Sequence, residues 1–217
     1  MKTTAQLGVF AAAVLLSSQA LGQETPSSTP PNSATAKNPW AYNLTVDGYI
    51  IPGGTSYVDP VFTADRNWLH LEARYNYENL RTGSLWAGYN FSAGKKLVLD
   101  VTPMIGGVFG RTNGIAPGCE ASLTYKQFEL SISNEYVFDT THKSGNFYYS
   151  WPQFTYSPTD WLHVGLVAQH TKAYQTAVSV QRGFLVGVSH KRWEFTTYIF
   201  NPDLSNPTVV LEVGVNF

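Results

Sequence analysis

The sequence predicts an all-β protein, an antiparallel up-and-down transmembrane β-barrel of about twelve strands. Three observations carry this. From Trp40 onward, segments of about ten residues alternate apolar with polar side chains, the period of two expected of a strand with two unlike faces. Turn residues separate these segments, and no stretch shows a helical period. The final segment, Thr208 to Phe217, alternates without a break: Val209, Leu211, Val213, Val215 and Phe217 form one face, and Thr208, Val210, Glu212, Gly214 and Asn216 the other.

In chain order, residues 1–22 read as a signal peptide: Lys2 supplies the charge, Leu7 to Leu16 the apolar run, and Ala20 and Gly22 the small residues for cleavage. That run of about ten residues is far short of the roughly 20 that a spanning helix needs. Residues 23–39 are rich in Pro, Ser and Thr and read as a disordered tether, a plain linker rather than a cell-wall-binding segment. Residues 40–217 form the barrel. Its first six strands are expected at Tyr42 to Ile51, Ser56 to Ala64, Asn67 to Glu78, Thr82 to Phe91, Lys96 to Phe109 and Gly118 to Tyr125. The other six are expected at Phe128 to Phe138, Phe147 to Tyr156, Trp161 to Thr171, Val180 to Ser189, Arg192 to Phe200 and Thr208 to Phe217. Asp59 and Pro60 make the second strand the least regular, and ten or fourteen strands remain alternatives. Counted back from Phe217, the connections tend to alternate short with longer. Gly110 to Pro117, Asp139 to Asn146, Lys172 to Ser179 and Asn201 to Pro207 are the longer ones, whereas Pro52 to Thr55 and Asn79 to Arg81 depart from the trend.

A terminal alternating strand closed by an aromatic residue resembles the last strand of bacterial outer-membrane β-barrels, where it is the signal read by the barrel-assembly machinery. The resemblance covers the last ten residues closely and the rest of the mature chain in pattern. It implies a porin-like protein of the Gram-negative outer membrane, exported through the secretory pathway. The partners it implies are outer-membrane lipid and the assembly machinery, with Phe217 as the assembly signal.

A soluble barrel would alternate in the same way with its apolar face inward, so the details of the faces matter. Aromatic residues gather at strand ends on the apolar face: Phe91, Tyr125, Phe128, Tyr156, Trp193 and Phe217 at one end, and Tyr75, Tyr77, Phe109, Tyr136 and Phe138 at the other. That is the pattern of two interfacial girdles. Glycines recur on the polar face at positions 88, 106, 165, 183, 187 and 214, leaving room for large neighbours or water.

The polar face holds Asp47, Asp59, Glu72, Asp100, Glu120, Glu129, Glu135, Glu194 and Glu212, with Arg74 the clearest base among them. Facing hydrocarbon, each carboxylate would cost about 1 to 2 kcal/mol, so the lumen is their expected place. These ten residues are the candidate pore lining. An acidic lumen attracts cations and repels anions, which points to a passive pore for small hydrophilic solutes, cations preferred. The alternative is a closed structural barrel, plugged by a hydrogen-bonded network of the same side chains. Trp68, Trp86, Trp161 and Tyr198 also fall on this face, as packing or as a saccharide path. His70, Glu72 and Arg74 share one face of one strand, where a salt-bridge network fits better than a metal site or an acid–base pair.

An outer-membrane lipid hydrolase needs a serine and a histidine brought together. Ser189 and His190 point to opposite faces, and neither they nor His163 sits in a recognised motif, so no enzyme is expected. The formal net charge of −1 gives no reason to expect nucleic acid. Cys119 is the single cysteine, which leaves no disulfide framework and marks it as a small apolar side chain. No cofactor or metal is called for. The short loops at the barrel mouth offer no large lid or plug.

Overall fold

The structure, a computed structural model, describes residues 39–173 and 179–217. The signal peptide, the tether up to residue 38 and the middle of the Lys172 to Ser179 connection lie outside the described residues.

The described residues form thirteen strand segments. The first five are β1 (Ala41–Ile50), β2 (Tyr57–Arg66), β3 (Leu69–Tyr75), β4 (Thr82–Tyr89) and β5 (Phe91–Gly94). Next come β6 (Leu97–Gly110), β7 (Gly114–Tyr125), β8 (Phe128–Asp139) and β9 (Phe147–Thr159). The last four are β10 (Leu162–Ala173), β11 (Ser179–His190), β12 (Trp193–Phe200) and β13 (Thr208–Asn216). Segments β4 and β5 are one barrel strand interrupted at Asn90, since both pair with β6. Strand β1 pairs with β13, which closes the ring into a twelve-strand antiparallel barrel without a free edge.

The two ends differ in how the chain reverses. At the end that holds Phe217, two-residue turns open on Asn67, Lys126 and Lys191 with φ of 54°, 55° and 57°. Left-handed turn residues match the twist of the strands they join. Gly94, at φ 104°, adjoins Lys95 and Lys96, and a Cβ there would lie 1.9 Å from the Leu97 carbonyl oxygen, so only glycine fits. The opposite, loop end has connections 51–56, 76–81, 111–113, 140–146 and 201–207. One of them contains a single 3₁₀ turn, Lys143–Gly145.

Several boundaries differ from the sequence expectation. The third strand ends at Tyr75 rather than Glu78, because Asn76 takes a left-handed φ of 65°. Its side-chain amide donates to the Val58 carbonyl at 2.8 Å and its Oδ1 accepts the Arg81 N–H at 2.8 Å. Residues 76–81 therefore fold inward, burying Tyr77 and Glu78. The sixth strand begins at Gly114, since Gly114 to Pro117 pair with Val108 to Ile105 of β6, which reduces the expected Gly110 to Pro117 loop to three residues. In β2, Pro60 lies outside the Val61 to Arg66 stretch that pairs with β3, so its missing N–H costs that ladder nothing.

The outward face is apolar and bare: Leu166 is 64% exposed, Leu85 60% and Ile105 59%, within a band that runs around the barrel. A continuous band of this size cannot face water; hydrocarbon satisfies it. The apolar face is therefore the outside, opposite to a soluble barrel. Aromatic stacking reinforces the Phe217 end, with Phe128 on Tyr156 at 4.9 Å and Trp68 on Tyr89 at 5.6 Å. Trp68 and Trp161, expected on the inner face, are more than half exposed, because each sits in a turn where strand alternation no longer aims its ring. Tyr77 leaves the expected loop-end girdle for the interior, carried in by the loop after Asn76.

Candidate functional site: the barrel interior

The inner face is built by alternation. In β3, His70, Glu72 and Arg74 point inward and are buried, while Leu71 and Tyr75 between and beyond them are exposed. The same parity places all ten expected lining residues inside. Asp47, Asp59, Glu72, Arg74, Glu120, Glu135 and Glu212 are buried, and Asp100, Glu129 and Glu194 are partly exposed toward the Phe217 end.

Arg74 is the hub. Its guanidinium donates to Glu135 Oε2 at 2.9 Å and to Glu72 Oε2 at 2.8 Å. Glu120 and Glu78 lie at 3.7 Å and 3.9 Å. The rings of Tyr77 and Trp86 cover it, with centroids 4.0 Å and 4.4 Å from Cζ. Two faces of π-density and several carboxylates are what a buried guanidinium needs to offset its lost hydration. Trp86 donates from Nε1 to Ser84 Oγ at 3.0 Å and to Glu78 Oε1 at 3.2 Å. Gly106 provides its berth, since a Cβ there would come within 2.4 Å of the indole. Gly187 plays the same part beneath His163.

A polar line runs from Arg74 toward the Phe217 end. Glu72 faces His70 Nε2 at 3.5 Å, and His70 Nδ1 meets Asp65 Oδ1 at 2.8 Å. Asn90 donates to the same Asp65 oxygen at 2.7 Å and accepts from Thr102 at 2.8 Å. On the far wall, His163 Nε2 lies 3.1 Å from Thr196 Oγ1 and 3.5 Å from Glu194 Oε1.

Two interior acids escaped the sequence reading. Asp65 looked like a turn residue but is the inward penultimate residue of β2. Glu78 looked like the end of a strand but hangs from the inward loop, where burial lifts its carboxyl above the ordinary range against the pull of Arg74.

Toward the loop end the interior is packed. Trp151 of β9 meets Tyr198 and Phe200 of β12 edge-on at 5.5 Å and 5.1 Å. Tyr77 meets Tyr149 of β9 at 6.1 Å. The first two contacts join strands that are not neighbours in the ring, and the third joins the 76–81 loop to β9, so all three reach across the lumen. The short loops offer no large lid or plug, yet residues 76–81, with Tyr77 and Glu78 buried, close part of the bore. Toward the Phe217 end the inner face is partly exposed, and Asp65, Asp100, Glu129 and Glu194 lie in this vestibule. The exposed Lys95, Lys96, Lys126 and Lys191 belong to its rim, outside the packed interior.

No family model matches the chain, and no curated protein matches it. Solved structures do. The KdgM porin is similar with a TM-score of 0.57 and 10% sequence identity, over 81% of this chain and 99% of that one. A structure described as the KdgM porin in complex with disordered oligogalacturonate gives 0.58 and 10% over the same shares. At this identity the likeness is one of fold, a closed antiparallel β-barrel.

Proposed function

We propose that the protein is a narrow passive channel of the bacterial outer membrane for small hydrophilic solutes, with a preference for cations. One observation carries the ion preference. Among the described residues, seven buried carboxylates (Asp47, Asp59, Glu72, Glu78, Glu120, Glu135 and Glu212) share the interior with one buried guanidinium, Arg74, and one buried imidazole, His70. Buried charge without compensation is costly, and a cation entering the bore relieves it. The porin fold, the outward apolar band and the aromatic ends support the outer membrane as the site, with lipid around the barrel. The terminal alternating strand and Phe217 support handling by the barrel-assembly machinery after export. On this reading the Phe217 end and its tight turns face the periplasm. Oligogalacturonate, bound by one structural neighbour, is a polyanion, and an interior this acidic disfavours that class of solute. The chemistry of the interior is that of a conduit rather than an enzyme.

Conduction requires the 76–81 loop to yield, since Tyr77 and Glu78 stand in the bore. That same packing favours the second reading, a closed structural barrel. Single-channel recording of the refolded protein in planar bilayers under a KCl gradient separates them. The expected result is discrete steps with a cation-selective reversal potential, weakened by Glu72→Gln and Glu129→Gln. A protein that inserts but never conducts leaves the closed barrel.

A further inference from the structure

Strand parity also sorts the outward face, and one stretch of it departs from the rest. Between the strand ends, the outward positions of β1 to β6 and of β13 carry only aliphatic, aromatic, proline or glycine residues. On β7 to β10 that pattern breaks along one line. Cys119 of β7 lies opposite Asn134 of β8, Asn134 opposite Ser150 of β9, and Ser150 opposite His170 of β10. All four point outward, since the residues beside them, Glu120, Glu135, Tyr149 and Gln169, are buried in the interior. They form one polar row across four adjacent strands. Among the described side chains, two other non-aromatic polar residues face outward between strand ends. Thr197 of β12 is flanked by Val186 and Leu211, and Arg182 of β11 lies at the loop end, where it donates to Asp203 at 2.9 Å.

Asn134 lies at the depth of the hydrocarbon, between Phe128 and Phe138, the outward aromatics near the two ends of β8. Acyl chains offer neither donor nor acceptor, and a polar group left unpaired among them is costly. Asn134, Ser150 and His170 make no side-chain hydrogen bond among the described residues. Ser150 is recessed between Asn134 and His170, at 5% exposure, so the wall is low there. Ala121 and Ala168, outward neighbours of the row on β7 and β10, keep it low. Small residues let two walls in a membrane approach closely.

We propose that this wall is an interface between two copies of the chain, related by a two-fold axis along the membrane normal that passes beside Asn134. A carboxamide carries both donors and an acceptor, so two copies of Asn134 at one depth satisfy each other across the axis, and the same patch serves both subunits. An axis along the normal keeps both Phe217 ends on one side of the membrane. Apolar surface gains little by leaving acyl chains, so polar groups and close packing drive association there. A lipid headgroup fits less well, since headgroups lie at the level of the aromatic girdles and Asn134 lies between them. The inference rests on the membrane reading and is independent of conduction.

The test is Förster transfer in phosphatidylcholine vesicles between two populations of the full chain, one labelled with donor and one with acceptor. The label sits on Ser205→Cys, in an exposed loop, with Cys119→Ser removing the native thiol. Transfer above the level of random proximity, persisting as lipid is added, is expected. Asn134→Leu weakens the association at least tenfold, and Thr197→Leu, on another wall, leaves it unchanged. Asn134→Leu takes a polar group out of hydrocarbon and is expected to insert and fold, which vesicle flotation and heat-modifiable gel migration verify. Transfer that falls to the random level on dilution, that survives Asn134→Leu, or that Thr197→Leu abolishes equally overturns the interface. A second measurement is copper-phenanthroline cross-linking in the Cys119→Ser background: Asn134→Cys is expected to give a dimer and Thr197→Cys none, and the reverse pattern overturns the assignment. Insertion without association sinks this proposal alone, whereas failure of the wild-type chain to insert sinks the membrane reading together with it.

Discussion

Glu78 shows how far one side chain's surroundings can depart from what its sequence position implies. It lies in a connection at the barrel mouth yet is wholly buried, accepting from Ser84 and Trp86 and facing Arg74. Burial raises its carboxyl above the ordinary range, so the folded state holds the proton more tightly than the unfolded chain. Its favourable contribution is complete below the unfolded-state value near 4.5 and declines as pH rises toward the folded-state value. Glu78→Gln is therefore expected to raise the urea midpoint relative to wild type at pH 8, with the gap narrowing toward pH 4. Tryptophan fluorescence during equilibrium unfolding in lipid vesicles measures both, and a gap that widens in acid contradicts the assignment.

At the scale of the element, β6 carries two adjacent glycines with opposite duties. Gly106 faces inward under Trp86, whereas Gly107 faces outward with nothing within 4 Å of a notional Cβ. Gly106→Ala is expected to displace the indole and destabilise the barrel by about 1–3 kcal/mol, while Gly107→Ala stays within about 0.5 kcal/mol. Paired urea titrations of the two variants check this. Strand parity is also what made the interior legible: a period of two assigns Glu72, Glu120, Glu135 and Glu212 to the lumen without knowledge of any contact. Parity fails where the backbone leaves the strand. Asn76 at φ 65° turns Tyr77 and Glu78 inward, and the turns at Asn67 and Asp160 release Trp68 and Trp161 outward. Which acids share Arg74 was beyond the sequence, because those contacts depend on how far each strand is staggered around the ring.

For the whole molecule, the outward band demands a hydrocarbon solvent, and this is testable by depth. Leu166, 64% exposed in the middle of β10, is expected to meet the acyl chains. Leu166→Lys should cost about 2–4 kcal/mol in a bilayer, whereas a similar exchange on the surface of a water-soluble protein is close to neutral. Folding titrations in vesicles report the difference, and a neutral outcome would mean that this band does not meet lipid.

The Arg74 hub has a consequence for the order in which the chain can assemble. Its hydrogen-bond partner Glu135 lies 61 residues away in sequence, and the strands that carry them, β3 and β8, are not neighbours in the ring. A partly zipped sheet holds both side chains but does not bring them face to face; they meet only once the cylinder has curled shut. Until that moment the guanidinium and most of its acids keep their water, and their dehydration is deferred to the closing step. Dehydration of this pair is thus coupled to the closing of the cylinder rather than to the zipping of any one strand onto its neighbour.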